Sequence, residues 1–211
     1  MGTNYKLPLR IAQAEFTEKK SRFISSLAPV ATEDEALSFL RSIRAQHREA
    51  AHNVYSYRIK SGEISRHSDD GEPSGTAGIP LLQVFLKQDI YDFCCVATRY
   101  FGGTLLGAGG LVRAYAHCGA IALEASGVGE MKEVAICAAT IPYPLYEPVK
   151  RLVHSCGAAI VSEDFGSEVA LVFSLISGDL AVFERKFNEL TAGAIGISVQ
   201  DIRLSIMETQ S

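Results

Sequence analysis

Apolar residues recur along this chain with two periods, two and about 3.6, and each change of period marks an element boundary. Two short runs, Ala12 to Phe16 and Arg22 to Ala28, predict strands joined through the basic cluster Lys19, Lys20 and Arg22. Thr32 and Glu35 stand at capping-box spacing, and Ala36, Leu37, Leu40 and Ile43 then share one helical face. Val54, Ser56 and Arg58 alternate with Tyr55, Tyr57 and Ile59, and Ser61-Gly62 predicts a hairpin returning through Ile64. Leu81, Leu82, Phe85 and Leu86 predict a helix capped by Thr76 or a neighbour, with Pro80 tolerable only in its first turn. A core strand follows from Tyr91 to Arg99, and a helix from Leu111 to Ala125 closes at Gly127.

Beyond Gly127 the pattern starts afresh. Val134 to Ile141 reads as a strand, and Pro144 to Cys156 as a helix turning Leu145, Val149, Leu152 and Cys156 inward. Ala158 to Ser162 and Val169 to Ile176 are strands about the Asp164-Phe165-Gly166-Ser167 turn. A helix carrying Leu180, Phe183, Phe187 and Leu190 and a strand from Ile195 to Ile202 complete the order βαββαβ. That order is the ferredoxin-like plan. Small and charged residues between Gly127 and Lys132 separate two apolar patterns, so a boundary is expected there, with domains at 1–130 and 131–211.

Composition narrows the class. With 47% hydrophobic and 21% charged residues, the 211-residue chain is expected to fold and to bury a core in each part. Its five cysteines contain no Cys-x-x-Cys, and Cys94 and Cys95 would face opposite sides of a strand; they read as reduced thiols of a cytoplasmic protein. No apolar run approaches the roughly 18 residues of a membrane span, so no membrane partner is expected. Residues 1–133 hold 15 Lys+Arg against 15 Asp+Glu, whereas residues 134–211 hold 5 against 9. A wholly basic, nucleic-acid-type domain is therefore missing, and a local basic patch in the first part is what remains open.

The chemistry concentrates after the core strand. Gly102, Gly103, Gly107, Gly109 and Gly110 fall within nine residues, between that strand and the helix expected to open near Leu111. Such a loop exposes backbone, and a helix start offers N–H groups and partial positive charge to an anion. Arg99 and Arg113 flank it, and Tyr100 and Phe101 set aromatic faces beside it. Close packing of a tight connection explains the glycines equally well. A dinucleotide fingerprint starting at Gly107 would need glycine where Val112 stands, and no P-loop sequence occurs. The second stretch is the polar segment from Arg66 to Gly78, with Asp69, Asp70 and Glu72 as either oxygen ligands for Mg2+ or solvated turn formers. His52 and His67 are the histidines expected near the glycine loop, and His47, His117 and His154 fall inside helical patterns. No Ser-His-Asp, Cys-His or His-Glu-x-x-His signature is present, so no catalytic residue, metal or cofactor is assigned.

Four segments carry a family resemblance: Lys19-Lys20-Ser21-Arg22-Phe23-Ile24, Ala51-His52-Asn53-Val54-Tyr55-Ser56-Tyr57, the run from Asp69 to Gly78, and Thr98-Arg99-Tyr100-Phe101-Gly102-Gly103 through Gly109-Gly110-Leu111-Val112-Arg113-Ala114-Tyr115. In these the chain resembles the IMPACT/YigZ family. The resemblance implies an α+β protein. Its N-terminal domain would have the left-handed βαβ fold shared by a ribosomal protein domain and domain four of elongation factor G. A ferredoxin-like domain, similar to the last domain of that factor, would follow. The RWD domain of eukaryotic relatives is not expected. Those relatives act in translational control, competing for an activator of an initiation-factor kinase. The function expected is a translation-associated binding module for RNA, a ribosomal surface or a regulatory protein. Its face would hold Arg22, His52, Asp69, Asp70, Glu72, Ser74, Arg99, Tyr100, Phe101, Gly102, Gly103, Gly109, Gly110 and Arg113. The alternatives are a Mg2+-dependent phosphoester enzyme on the same face, with His52 as acid or base, and a protein-only adaptor of a peptidase or kinase. The oligomeric state is left open.

Overall fold

A computed structural model of the chain describes residues 4–208. The order of elements is β1 (Tyr5–Pro8), β2 (Ala12–Glu18), β3 (Ser21–Pro29), α1 (Glu33–Gln46), β4 (His52–Ile59), β5 (Ile64–Ser68), α2 (Gly78–Lys87), β6 (Phe93–Tyr100), α3 (Ala108–Ser126), β7 (Val128–Ile141), α4 (Tyr143–Ser155), β8 (Ala159–Phe165), β9 (Val169–Ile176), α5 (Leu180–Thr191) and β10 (Ser198–Glu208). Two compact units form, one around Tyr5–Glu130 and one around Met131–Ser205, and the division falls within β7. The fold is α+β, as expected.

In the N-terminal unit one sheet has the order β2-β3-β6-β4-β5. Both β3 and β4 run antiparallel to β6, so they are parallel to each other, and α1 links them as a βαβ crossover with β6 inserted between its strands. Helix α1 covers one face, where Ala36, Leu40 and Ile43 pack on Ala28, Tyr57, Ile59, Cys94 and Val96. Helices α2 and α3 cover the other, bringing Leu81, Phe85, Leu111 and Tyr115 onto Phe23, Leu27, Val54, Cys95 and Ala97. Cys94 and Cys95 thus serve opposite faces, and burial pushes the Cys95 thiol up to about 12. All five cysteines are free.

Local chemistry sets the boundaries. The Thr32 hydroxyl accepts from the Glu35 backbone N–H, and the Glu35 carboxylate accepts in return from the N–H of Ala31, closing the start of α1. The β2–β3 turn is only Lys19 and Lys20, both with positive φ (46° and 69°), the backbone of a type I′ turn occupied by two lysines instead of asparagine and glycine. Two expectations are corrected. Helix α3 begins at Ala108 rather than near Leu111, so Gly109 and Gly110 lie in its first turn and not in the loop. Helix α2 has no side-chain cap from Thr76, whose hydroxyl instead donates to the Pro73 carbonyl at 2.6 Å.

The second sheet has five strands: β7, β9 and β8 follow one another, β10 pairs with β7 as in the ferredoxin-like arrangement, and β1 also joins the sheet through β7. Val149 and Val153 of α4 and Phe183 and Phe187 of α5 pack on Ala135, Cys137, Leu171 and Phe173, so both helices lie on one face of the sheet. The last strand starts later and runs further than its alternation suggested, ending at Glu208 instead of Ile202.

Candidate functional site

At one end of the N-terminal sheet the loop after β6 meets the β2–β3 turn. Leaving β6, the chain lays Gly102 against the Lys20 backbone so closely that a Cβ there would lie 2.0 Å from the Lys20 carbonyl oxygen. The Gly102 N–H donates to the Ser21 hydroxyl at 3.3 Å. Glycine is required at this position by contact, independently of its φ.

Beneath these loops lies a buried polar cluster. Arg99, 4% exposed at the end of β6, donates to the Glu72 carboxylate at 2.7 Å and to the Ser21 hydroxyl at 3.2 Å. The Tyr115 hydroxyl of α3 donates to the same Glu72 oxygen at 2.7 Å. Burial, then that hydrogen bond, push the Tyr115 hydroxyl above the usual phenol range and keep it a donor. His52 donates from Nδ1 to the Asp70 carbonyl at 2.8 Å, leaving Nε2 3.8 Å from the other Glu72 oxygen. A charge pair this buried has to be satisfied internally, and these neighbours bond the two terminal nitrogens of Arg99 while its buried Nε has no partner among the described residues.

The acidic loop is also committed to its own framework. Asp69 accepts from the N–H groups of Gly75, Ala77 and Gly78 at 2.8 to 3.0 Å, and so holds the start of α2 that no adjacent side chain caps. Burial opposes the Asp69 charge, but the donors of Gly75, Gly78 and Ala77 outweigh it and hold the carboxyl below the usual carboxylate range. Asp70 accepts from the Asn53 N–H at 2.6 Å and pairs with Arg44 at 2.6 Å. The Mg2+ alternative thus loses its ligand set, because all three carboxylates already have protein partners, and among the described residues no group of three His, Cys, Asp or Glu is arranged to hold a metal.

What the face presents outward is different. Arg99 is interior, with its guanidinium bonded to Glu72 and Ser21. Arg22 is exposed but pairs with Glu15 at 2.6 Å, and Tyr100 bonds to the His47 ring at 2.9 Å. Ser74 and Gly103 are exposed on their loops. Phe101 is 50% and Leu105 81% exposed, and the Arg99 guanidinium lies 5.4 Å from the Phe101 ring centre. Arg113 lines a cleft of about 420 Å³ with Glu18, Lys19, His117, Gly110, Phe16 and Leu106. Neither Arg113 nor Lys19 forms an ion pair among the described residues. The 19-residue α3 begins beside them, its N-cap Gly107 supplying no side-chain hydrogen bond. Two cations, one carboxylate and the first turn of α3 therefore line one opening.

Sequence reasoning missed Ser21, Tyr115 and His117. Tyr115 shares its α3 face with Leu111 and Cys118, so its burial was readable; a buried tyrosine hydroxyl needs an acceptor, and Glu72 is that acceptor. His117, which falls inside a helical pattern, stacks edge-on against Phe16 at 4.6 Å on the cleft wall.

Comparison with known proteins follows the same division of the chain. Residues 19–123 match the Impact N-terminal domain model, and residues 140–194 match a domain of unknown function, DUF1949. The chain is 37% identical to the IMPACT family member YvyE of Bacillus subtilis over 85% of its own length and 83% of the relative. It is 31% identical to the IMPACT family member YigZ of Escherichia coli, covering 84% and 88%. A crystal structure described as that of a hypothetical protein superposes with a TM-score of 0.60 at 28% identity, over 95% of this chain and 99% of that one.

Proposed function

The chain belongs to the IMPACT family, and on that premise we propose that it is a non-enzymatic, cytoplasmic, translation-associated regulator that binds RNA, on the ribosome or free, through the cleft face of its N-terminal unit. The observation that supports this most is a division of charge. The acids of the Asp69–Glu72 stretch are bonded within the protein, whereas Lys19 and Arg113, which share the cleft wall with Glu18, form no ion pair among the described residues and stand beside the uncapped start of α3. Phosphate is the anion such a site receives well, through charge-assisted hydrogen bonds from arginine and lysine and through helix N–H groups. Phe101, half exposed on the loop that follows β6, offers a ring on which an unpaired base can stack. The translational setting comes from the resemblance to eukaryotic relatives, and the absence among the described residues of any helix long and apolar enough to cross a membrane is compatible with it.

The test is salt-dependent binding of the full chain to single-stranded RNA, structured RNA and purified ribosomes. Lys19→Ala/Arg113→Ala should weaken binding and flatten the slope of log K against log salt by roughly 0.7 to 0.9 per lost phosphate contact. Affinity indifferent to salt and to both cations would point instead to a regulatory protein docking on Phe101 and Leu105.

A further inference from the structure

β10 is the outer strand of the C-terminal sheet, pairing with β7 and with no other strand among the described residues. From Ser198 to Leu204 each of its residues is exposed, with Val199 at 42%, Ile202 at 55% and Leu204 at 49%. A long apolar edge presents unpaired backbone donors and acceptors, and proteins ordinarily blunt such edges with proline, a bulge or charged side chains, lysine above all. β10 contains neither proline nor lysine. Its charges between Ser198 and Ser205 are one acid and one base, Asp201 and Arg203, placed symmetrically about Ile202.

That symmetry has a partner. We propose that β10 pairs antiparallel with β10 of a second copy of this chain, about a twofold axis beside Ile202. In this register Ile202 meets its own counterpart, Asp201 meets Arg203 of the other copy, and Arg203 meets Asp201, so both charge pairs are attractive. Gln200 then stands across from Leu204. Sliding the copies to centre on Asp201 or on Arg203 places like charges directly opposite, which is destabilising. The charges that would repel an arbitrary strand thus select one self-pairing register. An isologous contact of this kind closes on itself as a dimer instead of growing into a filament. It uses a face distinct from the cleft of the N-terminal unit.

Sedimentation velocity of the full chain between about 1 μM and several hundred μM, the range of small and transient interfaces, should show a concentration-dependent dimer. Asp201→Arg and Arg203→Asp should each weaken it about tenfold or more, since each turns two attractive pairs into repulsive ones. The double exchange Asp201→Arg/Arg203→Asp restores complementarity and should restore the dimer, a rescue that a merely structural role for either residue would not produce. As a second readout, Ile202→Cys should give a disulfide-linked dimer on mild oxidation, while Ser162→Cys on β8 should not. A chain monomeric across this range, even if its β10 takes up some other protein's strand, overturns the proposal. So does a dimer insensitive to the single reversals, or one that the double exchange fails to rescue.

Discussion

At the scale of single residues, the glycine-rich segment resolves into positions with different jobs. At Gly102 a methyl group would sit 2.0 Å from the Lys20 carbonyl oxygen, backbone against backbone, so no side-chain adjustment relieves it. Gly102→Ala should cost about 1–3 kcal/mol or more, as overpacking does, and should displace the Lys19-Lys20 turn. Gly103 has φ of +81° and nothing within 4 Å of its would-be Cβ, so Gly103→Ala should cost only the conformational term, roughly 1–2 kcal/mol. Gly109 lies within α3, where the nearest atom to an added Cβ is the far end of Arg113 at 3.7 Å. Gly109→Ala should be neutral or stabilising by up to about 1 kcal/mol. Urea denaturation of the three variants checks the ranking, and equal effects would mean that the glycines serve one common purpose after all.

At the scale of elements, the start of α2 depends on a carboxylate nine residues before its first helical position. Asp69 accepts three backbone N–H groups there, and an asparagine at that position would turn an amide N–H2 toward one of those donors. Asp69→Asn should therefore cost about 1–3 kcal/mol at neutral pH. Because the Asp69 pKa is depressed in the folded state, the carboxylate's contribution is fully present above the ordinary carboxylate range and is lost as pH falls through the folded value. The stability gap between wild type and variant should narrow in acid, which denaturation midpoints measured from pH 7 down to pH 3 will show. This contact also marks where the sequence stopped being legible. Periodicity placed the helices and core strands because burial repeats along the chain, and Thr32-x-x-Glu35 announced its cap because that cap is local. The caps and ion pairs of the site join residues far apart in sequence: Asp69 to Gly78, Glu72 to Arg99, Glu72 to Tyr115. These motif residues hold the loops from within, a role that their sequence neighbours do not announce. Exposure, which separates Arg99 from Arg113, has no local signature when both sit in largely apolar stretches.

At the scale of the molecule, the two units bury clusters with no residue in common, Phe23, Phe85 and Phe93 in one and Phe173, Phe183 and Phe187 in the other. The charge balance divides similarly, neutral through residue 133 and acidic beyond it, so the proposed RNA face lies in the part that RNA phosphate does not repel. Phe173 is fully buried, and its ring centre lies 4.9 Å from that of Phe183. Phe173→Ala should cost the C-terminal unit about 3–5 kcal/mol through lost burial and the cavity left behind. If cooperativity follows the clusters, unfolding of this variant should split into an early transition, belonging to the acidic unit and carrying the β10 dimer with it, and a later one at the wild-type position. Under conditions between the two transitions, RNA affinity and its salt slope should be those of the wild type, because Lys19, Arg113 and the start of α3 all rest on the other core. Loss of RNA binding in step with the first transition would place part of the recognition surface beyond residue 130 and would require a different account of the acidic unit.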